Sequence, residues 1–268
     1  MTTPYVPLDA RGWRMAMGLR PLEMARWLEI DARRDEELAL KSRLLREVPE
    51  TVVATQPAGD APSAELYGEV LAWLDAYGAP SRDVAPGVQD HPVVAAARLV
   101  QEDLCVLVRD DLWRLRAACV CFPSRWSLAT KIGRGLDEIH APVPGYRETL
   151  ASATTGLFDR LSVDRPFWRL NWTVLDDPSL FQPEPAREAT GEDVTQWHFR
   201  VERQTIRRLR RTGAIVFTIR SYVSPVAELA GQPEFLAHLC ASIEGAPPAT
   251  QSYKGWVDVA RRLRDALG

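Results

Sequence analysis

Apolar residues recur every three or four positions in the first part of the chain, a spacing that predicts amphipathic helices. The pattern runs through RPLEMARWLEID (20–31) and RRDEELALKSRLLREV (33–48). Pro49 follows directly and is expected to end the second helix. The N-terminal part of the chain is therefore predicted to be helical.

A third helix is predicted over AELYGEVLAWLDAYG (64–78), with Ser63 as its N-cap and Gly78 at its end. The stretch before it, ETVVATQPAGDAPS (50–63), has the composition of a linker. Residues 79–92 are rich in proline, glycine and aspartate, which is typical of a loop.

The pattern changes to strands from about residue 99. An apolar strand over 104–108, a turn at 109–111 and a return strand over 112–122 predict a hairpin. Three more strands are predicted in FWRLNWTVLD (167–176), WHFRVERQTIRRL (197–209) and AIVFTIRSYV (214–223). The last two are joined by RRTG, whose glycine suits a tight turn.

Helical segments lie between and after these strands. They are PSRWSLATKIGRGLDEIH (123–140, in two short pieces), RETLASATTGLFDRL (147–161), PEFLAHLCASI (233–243) and GWVDVARRLRDAL (255–267). Five strands with short links favour an antiparallel sheet with helices packed to one side, which is the α+β class. We expect a helical region over 1–98, a sheet domain over 99–225 and a helical extension over 226–268.

Composition narrows the class of protein. The 268 residues are 46% hydrophobic and 26% charged, as in a globular protein, and the net charge of -3 offers no attraction to nucleic acid. No run has the length of a signal peptide or a membrane span, so we expect a cytoplasmic protein without membrane contact. The four cysteines form no CxxC pair and are expected to be reduced core thiols.

Common cofactor and catalytic motifs do not occur in the sequence. There is no GxGxxG, no GxxxxGK[ST], no HExxH and no GxSxG. Nucleotide, zinc-protease and hydrolase functions therefore have no support, and the chain carries no recognisable flavin or iron–sulfur motif of its own.

His140 is the strongest single candidate for chemistry. Pro142 pushes Ala141 toward extended geometry, so the helix has to stop at about His140, and Pro144 stiffens the exit path. A ring presented rigidly from a helix end suits an axial haem ligand. The alternative is a histidine that caps the helix by bonding a backbone carbonyl.

Two further groups lie near the predicted pocket between the sheet and the short helices. On the strand RVERQT, Arg200, Glu202 and Gln204 share one face, and the Arg200–Glu202 pair either binds a small polar substrate or forms a surface salt bridge. If a haem is bound, Arg125, Lys131 and Tyr146 supply cations and a donor for its propionates. The alternative for these three is an ordinary basic surface.

The blocks CFPSRWSLATKIGRGLDEIHAPVPGY, WRLNWTV and RVERQTIRRLRRTGAIVFTIRSYV resemble one known family over roughly residues 100–225. It is the domain of unknown function 3445 family, whose characterised member is the haem-binding α subunit of haem-dependent oxidative N-demethylase. The resemblance implies a PAS-like, five-stranded antiparallel domain that binds haem b, with His140 as the ligand of the iron. It places Arg200 and Glu202 in the polar pocket on the opposite side of the haem.

The resemblance also implies a reaction. A methylated amine such as dimethylamine is oxidised with O2 and NADPH-derived electrons, and formaldehyde is released. The electrons arrive from partner subunits that carry FMN and a [2Fe-2S] cluster, with tetrahydrofolate as the formaldehyde acceptor. Thr130 and His198 depart from the family pattern beside the pocket, which leaves the amine open.

Two other functions are compatible with the same residues. A haem-based PAS gas or redox sensor would use the same histidine as the ligand of the iron. A haem-free scaffold would use none of the candidate residues to bind a cofactor. A sensor is usually fused to an output domain, and no such domain is recognisable here, which favours the enzyme.

Overall fold

A seven-stranded antiparallel sheet forms the centre of the molecule in our computed structural model, which describes residues 3–78, 90–184, 193–232 and 234–268. Its strands are β1 (Arg20–Pro21), β2 (Val53–Thr55), β3 (Asp103–Arg109), β4 (Trp113–Cys119), β5 (Phe167–Leu175), β6 (His198–Arg208) and β7 (Ile215–Pro225). Their order across the sheet is β1-β5-β6-β7-β3-β4-β2. The α+β class is confirmed.

The five predicted strands form the continuous centre of this sheet, but the count of five is wrong. Two short strands extend its edges: Arg20 of β1 pairs with Trp168, and Val53 of β2 pairs with Cys119. Strands of two and three residues are too short to show an alternating pattern. Their pairing depends on an open sheet edge that other parts of the chain provide.

The helices in the described ranges are α1 (Arg34–Glu47), α2 (Pro49–Val52), α3 (Asp60–Tyr77), α4 (Pro92–Ala97), α5 (Leu136–Ile139), α6 (Tyr146–Thr149), α7 (Ala151–Arg160), α8 (Val226–Ala230), α9 (Phe235–Glu244), α10 (Pro248–Lys254) and α11 (Val259–Leu267). Short 3-10 turns occupy Met24–Arg26, Pro57–Gly59, Leu128–Thr130 and Val194–Gln196. None of the helices in the described ranges combines the length and apolar character needed to cross a bilayer.

Three sequence predictions in the N-terminal region are corrected by the structure. Residues 20–31 form β1 and a 3-10 turn instead of a helix, and the linker 50–63 contains α2 and β2. Helix α3 begins at Asp60, so Ser63 lies inside it and is not its cap, whereas Gly78 follows its end as predicted. Most of the predicted loop 79–92 lies outside the described residues.

The two faces of the sheet are covered by different parts of the chain. Leu136 of α5 and Phe158 of α7 join Ile206 and Ile215 in an apolar cluster on one face. The other face packs on the N-terminal helices, for example through Leu66 of α3. The strands β1 and β2 precede residue 98 but belong to the same sheet as the later strands. The predicted domain boundary after residue 98 stays a prediction.

The cysteines agree with the expectation of reduced core thiols. All four are free and buried. Cys119 and Cys121 lie side by side, with their sulfur atoms 4.0 Å apart.

Candidate functional site

His140 lies at the C-terminal end of the short helix α5. The helix follows Gly135 and ends at His140, where the approach to Pro142 prevents its continuation. The ring nitrogen Nδ1 donates a hydrogen bond to the carbonyl oxygen of Leu136, 2.8 Å away. A carbonyl only accepts, so Nδ1 carries the hydrogen, and the neutral ring has its lone pair on Nε2.

The surroundings of His140 favour this neutral ring. Burial lowers the pKa of His140, and the positive charges of Lys131 and Arg169 lower it further, against the opposing effects of the Leu136 hydrogen bond and Asp137. Among the described residues, Nε2 has no hydrogen-bond partner. An imidazole that stays neutral and has a free lone pair is the form that binds a metal.

Tyr146 and Lys131 hold the segment that carries His140. The Tyr146 ring stacks on the His140 ring, with centroids 4.4 Å apart and an interplanar angle of 16°. Lys131 Nζ donates to the carbonyl oxygen of Ile139 at 2.5 Å. Three predicted site residues, Lys131, His140 and Tyr146, therefore lie together. In this structure Lys131 and Tyr146 hold the histidine in place. Their predicted contact with a cofactor stays a prediction.

A second group of polar side chains lies on strands β5 and β6. The carboxylate oxygen Oε2 of Glu202 accepts from Asn171 Nδ2 at 3.2 Å and from Gln204 Nε2 at 2.9 Å. Glu202 and Gln204 share one face of β6, as the period of two predicts. Glu202 is thus buried but held in a polar environment.

Two cations complete this group, and sequence reasoning did not single out either of them. Arg169 lies on β5, directly opposite Gln204 of β6. Burial lowers the pKa of Arg169, and the charge of Glu202 opposes this shift. Lys254, at the end of α10, donates from Nζ to the carbonyl oxygen of Trp172 at 2.9 Å. Burial lowers its pKa to about 8, although Glu202 acts in the opposite direction.

The two groups are electrostatically linked through Arg169. Its charge lowers the pKa of His140, and the charge of Glu202 raises the pKa of Arg169. His140 and Glu202 therefore both lie within the electrostatic reach of Arg169, although they lie on a short helix and on a central strand. We refer to His140, Tyr146, Arg169, Glu202 and Lys254 as the β5–β6 site.

Arg200 has structural contacts instead of a free guanidinium. It is almost completely buried and donates to the carbonyl oxygens of Phe122 (2.5 Å) and Leu180 (3.1 Å) and to Ser221 Oγ (3.2 Å). These bonds hold two loops against β6. The predicted catalytic role of Arg200 stays a prediction, and its hydrogen bonds point to a structural role.

Arg125 also holds a loop. Its backbone has a positive φ of 61°, which is unusual for a residue other than glycine. Its side chain donates to Gln182 Oε1 at 3.1 Å and forms an ion pair with Asp176. Both partners come from the segment after β5, and the binding of a cofactor by Arg125 stays a prediction.

Two surface clefts are lined by other residues. One of 540 Å³ lies between Tyr5, Arg26 and Tyr222, and one of 330 Å³ lies between Met17 and Arg165. Neither is lined by a predicted site residue. The described residues contain no group of three or more histidine, cysteine or acidic side chains placed to hold a metal ion.

The donor set fits a haem. A porphyrin supplies four nitrogen ligands to its iron, so one protein ligand such as His140 suffices. The hydrogen bond from Nδ1 to a carbonyl is the outer contact that orients ligating histidines in metalloproteins.

Comparison with known protein families matches this chain to a family model. The model of the family described as haem-dependent oxidative N-demethylase, alpha subunit-like, covers residues 77–264 of this chain. This range contains the whole β5–β6 site.

Proposed function

Because the chain belongs to the family of haem-dependent oxidative N-demethylase, alpha subunit-like proteins, we propose that it binds haem b through His140 and demethylates a small methylated amine. The observation that carries the proposal is the His140 ring, whose Nδ1 donates to the Leu136 carbonyl and whose Nε2 has no hydrogen-bond partner among the described residues. The five long central strands, covered on one face by α5 and α7, are compatible with a PAS-like haem domain.

The reaction balances with one O2 and two electrons from NADPH. An N-methyl amine, O2, NADPH and a proton give the demethylated amine, formaldehyde, NADP⁺ and water. Haem supplies the binding and reduction of O2 in this reaction. We propose that a partner reductase with FMN and a [2Fe-2S] cluster delivers the electrons in the cytoplasm and that tetrahydrofolate accepts the formaldehyde.

Glu202 is the residue that we propose for contact with the amine. Its Oε2 is held by Asn171 and Gln204, so the carboxylate is fixed in position before substrate arrives. A fixed carboxylate near the reacting nitrogen can orient the amine and accept its proton. Tyr146 keeps the His140 ring in place by stacking on it.

Absorption spectroscopy tests the haem site. Protein purified from iron-supplied cells should show a Soret band, and His140→Ala should abolish or strongly shift it. The matched control is His238→Ala, on helix α9 outside the site, which should leave the band unchanged. An unchanged spectrum in His140→Ala removes His140 from the proposed role.

Turnover separates the enzyme from a haem sensor. With a flavin and iron–sulfur reductase supplied, NADPH-dependent formaldehyde release from methylated amines is expected, and Glu202→Gln should lower it about 100- to 10,000-fold, as for loss of an acid–base group. Haem binding without formaldehyde from any tested amine would favour the sensor. Absence of a Soret band would favour the haem-free scaffold.

A further inference from the structure

The β5–β6 site holds more positive than negative charge. Arg169 and Lys254 both lie close enough to Glu202 for its carboxylate to raise their pKa values. Among the described residues, no other carboxylate has this effect on either cation. Two cations therefore share one anion.

Arg169 is the cation that lacks a partner. Lys254 donates a hydrogen bond to the Trp172 carbonyl, but the Arg169 side chain makes no hydrogen bond or ion pair among the described residues. Its Nε atom is buried without an acceptor. Arg169 as a residue is half-buried, but a buried guanidinium nitrogen is costly unless it is hydrogen-bonded, and a guanidinium can hold a planar carboxylate with two parallel bonds.

We propose that Arg169 binds the carboxylate of an N-methylated amino acid whose amine contacts Glu202. The substrate of the proposed N-demethylation would then be an N-methyl amino acid and not a simple alkylamine, so this inference rests on the proposed function. The class is defined by its chemistry: a secondary amine and a carboxylate attached to the same carbon.

The register of the strands places the two groups at a suitable separation. Arg169 pairs directly with Gln204, so Glu202 is its diagonal neighbour on the same face. Diagonal neighbours in an antiparallel pair have Cα atoms roughly 7–8 Å apart, within reach of long side chains. Arg169 and Glu202 share this face of the sheet and form no ion pair with each other among the described residues, so a small zwitterion can bridge the two groups.

The charge balance separates the two substrate classes. A dimethylammonium ion would bring a third cation to a region that already holds two and would leave Arg169 unpaired. An N-methyl amino acid brings one charge of each sign, so its carboxylate pairs with Arg169 while its amine pairs with Glu202. Like-charge contact in a partly buried site is unfavourable, so the site favours the zwitterion.

Calorimetric binding to the haem-loaded protein tests this preference. N-methylglycine should bind at least tenfold more tightly than dimethylammonium. Arg169→Met should weaken the binding of N-methylglycine about 10- to 100-fold, the range expected for a charge-assisted hydrogen bond. The same variant should bind dimethylammonium as tightly as the wild type or more tightly. Arg169→Lys should restore binding only in part, because lysine lacks the bidentate geometry.

The control is Arg43→Met, on the exposed surface of α1, which should bind both probes like the wild type. Tighter binding of dimethylammonium than of N-methylglycine by the wild type would overturn the inference. Equal binding of N-methylglycine by wild type and Arg169→Met would do the same. The Arg169→Lys variant keeps the test valid if the methionine variant does not fold.

A haem propionate is the other source of a carboxylate for Arg169. Loading the protein with haem dimethyl ester, which has no free propionate, distinguishes the two. If Arg169 binds the substrate, N-methylglycine affinity with the ester should equal that with haem, and Arg169→Met should not weaken haem binding. Weaker haem binding in Arg169→Met, erased by the ester, would assign Arg169 to the propionate and overturn the inference.

The two proposals fail in different measurements. Absence of a Soret band contradicts the proposed function whatever the amino acid does. A normal Soret band and formaldehyde release from dimethylamine, with no binding or turnover of N-methylglycine, contradict only the inference about the substrate.

Discussion

The imidazole Nδ1 of His140 donates to the carbonyl oxygen of Leu136, one helical turn earlier, at 2.8 Å. This bond is the helix-capping contact, and it is also the contact that leaves Nε2 unprotonated. The two interpretations of His140 from the sequence are therefore compatible. The cap at the end of α5 fixes the orientation of the ring, as the proposed role of iron ligand requires.

The His140 ring makes the stability of the haem-free protein depend on pH. The unfolded chain takes up a proton on this residue near pH 6.5. Burial lowers the pKa of the folded His140, so the folded chain binds this proton only at lower pH. Stability from this group is thus present above about pH 6.5 and is lost as the pH falls through the lowered pKa.

Thermal unfolding between pH 8 and 5 checks this dependence. The Tm of the wild type should fall more steeply below about pH 6.5 than that of His140→Gln, which has no group to titrate there. Comparing the two removes the effects of all other groups. Parallel curves would show that the ring is not buried in its neutral form.

The charge of Lys131 acts on the His140 ring. Lys131 lowers the pKa of His140, so Lys131→Met should raise it. A titration of the histidine ring signals by NMR in the haem-free protein measures the shift. Arg134→Met is the control: Arg134 is exposed and pairs with Glu138, and it is not among the main charges that act on the ring. A lower or unchanged pKa in Lys131→Met would contradict the prediction.

Asp103 holds the loop that follows β4. Its buried carboxylate accepts from the backbone N–H groups of Cys121 and Phe122, at 2.8 and 2.9 Å. Asp103→Ala leaves both groups without an acceptor, so the free energy of unfolding should fall by about 2–6 kcal/mol in urea titrations. The exposed Asp164, paired with Arg210, is the control, and Asp164→Ala should cost less than about 1 kcal/mol.

Substitution by alanine should have opposite effects at two glycines, Gly59 at the start of α3 and Gly68 within it. A Cβ at Gly59 would lie 2.7 Å from the Arg116 carbonyl oxygen and 2.8 Å from the Ala117 Cβ, whereas nothing lies within 4 Å of one at Gly68. Gly59→Ala should lower the free energy of unfolding by about 1–3 kcal/mol through overpacking. Gly68→Ala should raise it by about 0.5–1 kcal/mol, since Gly68 lies in the middle of the helix. If both substitutions change the free energy of unfolding in the same direction in chemical denaturation, the close packing of Gly59 against β4 is contradicted.

The long elements could be predicted from local pattern. Helix α1 spans Arg34–Glu47 within the predicted 33–48, and β6 spans His198–Arg208 within the predicted 197–209. Each has enough residues to show its period. The strands β1 and β2 have two and three residues, and only their pairing with β5 and β4 makes them strands.

The residues of the candidate site also fall into those that a local pattern predicts and those that it does not. Pro142 marks the end of α5 and so reveals His140 locally, and the alternation along β6 places Glu202 and Gln204 on one face. Arg169 and Lys254 carry no such local mark. One is a single charge in an apolar strand, and the other lies at the end of a helix 85 positions further along the chain.

The sequence by itself determined the α+β class, the five long strands, the rigid presentation of His140 and the family to which the chain belongs. Each of these depends on periodicity, on proline geometry or on long motif blocks, which neighbouring residues carry. Only the tertiary structure decided that Arg200 bonds loop carbonyls and that Arg169 and Lys254 lie within the electrostatic reach of Glu202. Charge pairing depends on distances in space, and these follow from strand register and helix packing between parts of the chain that are far apart in sequence.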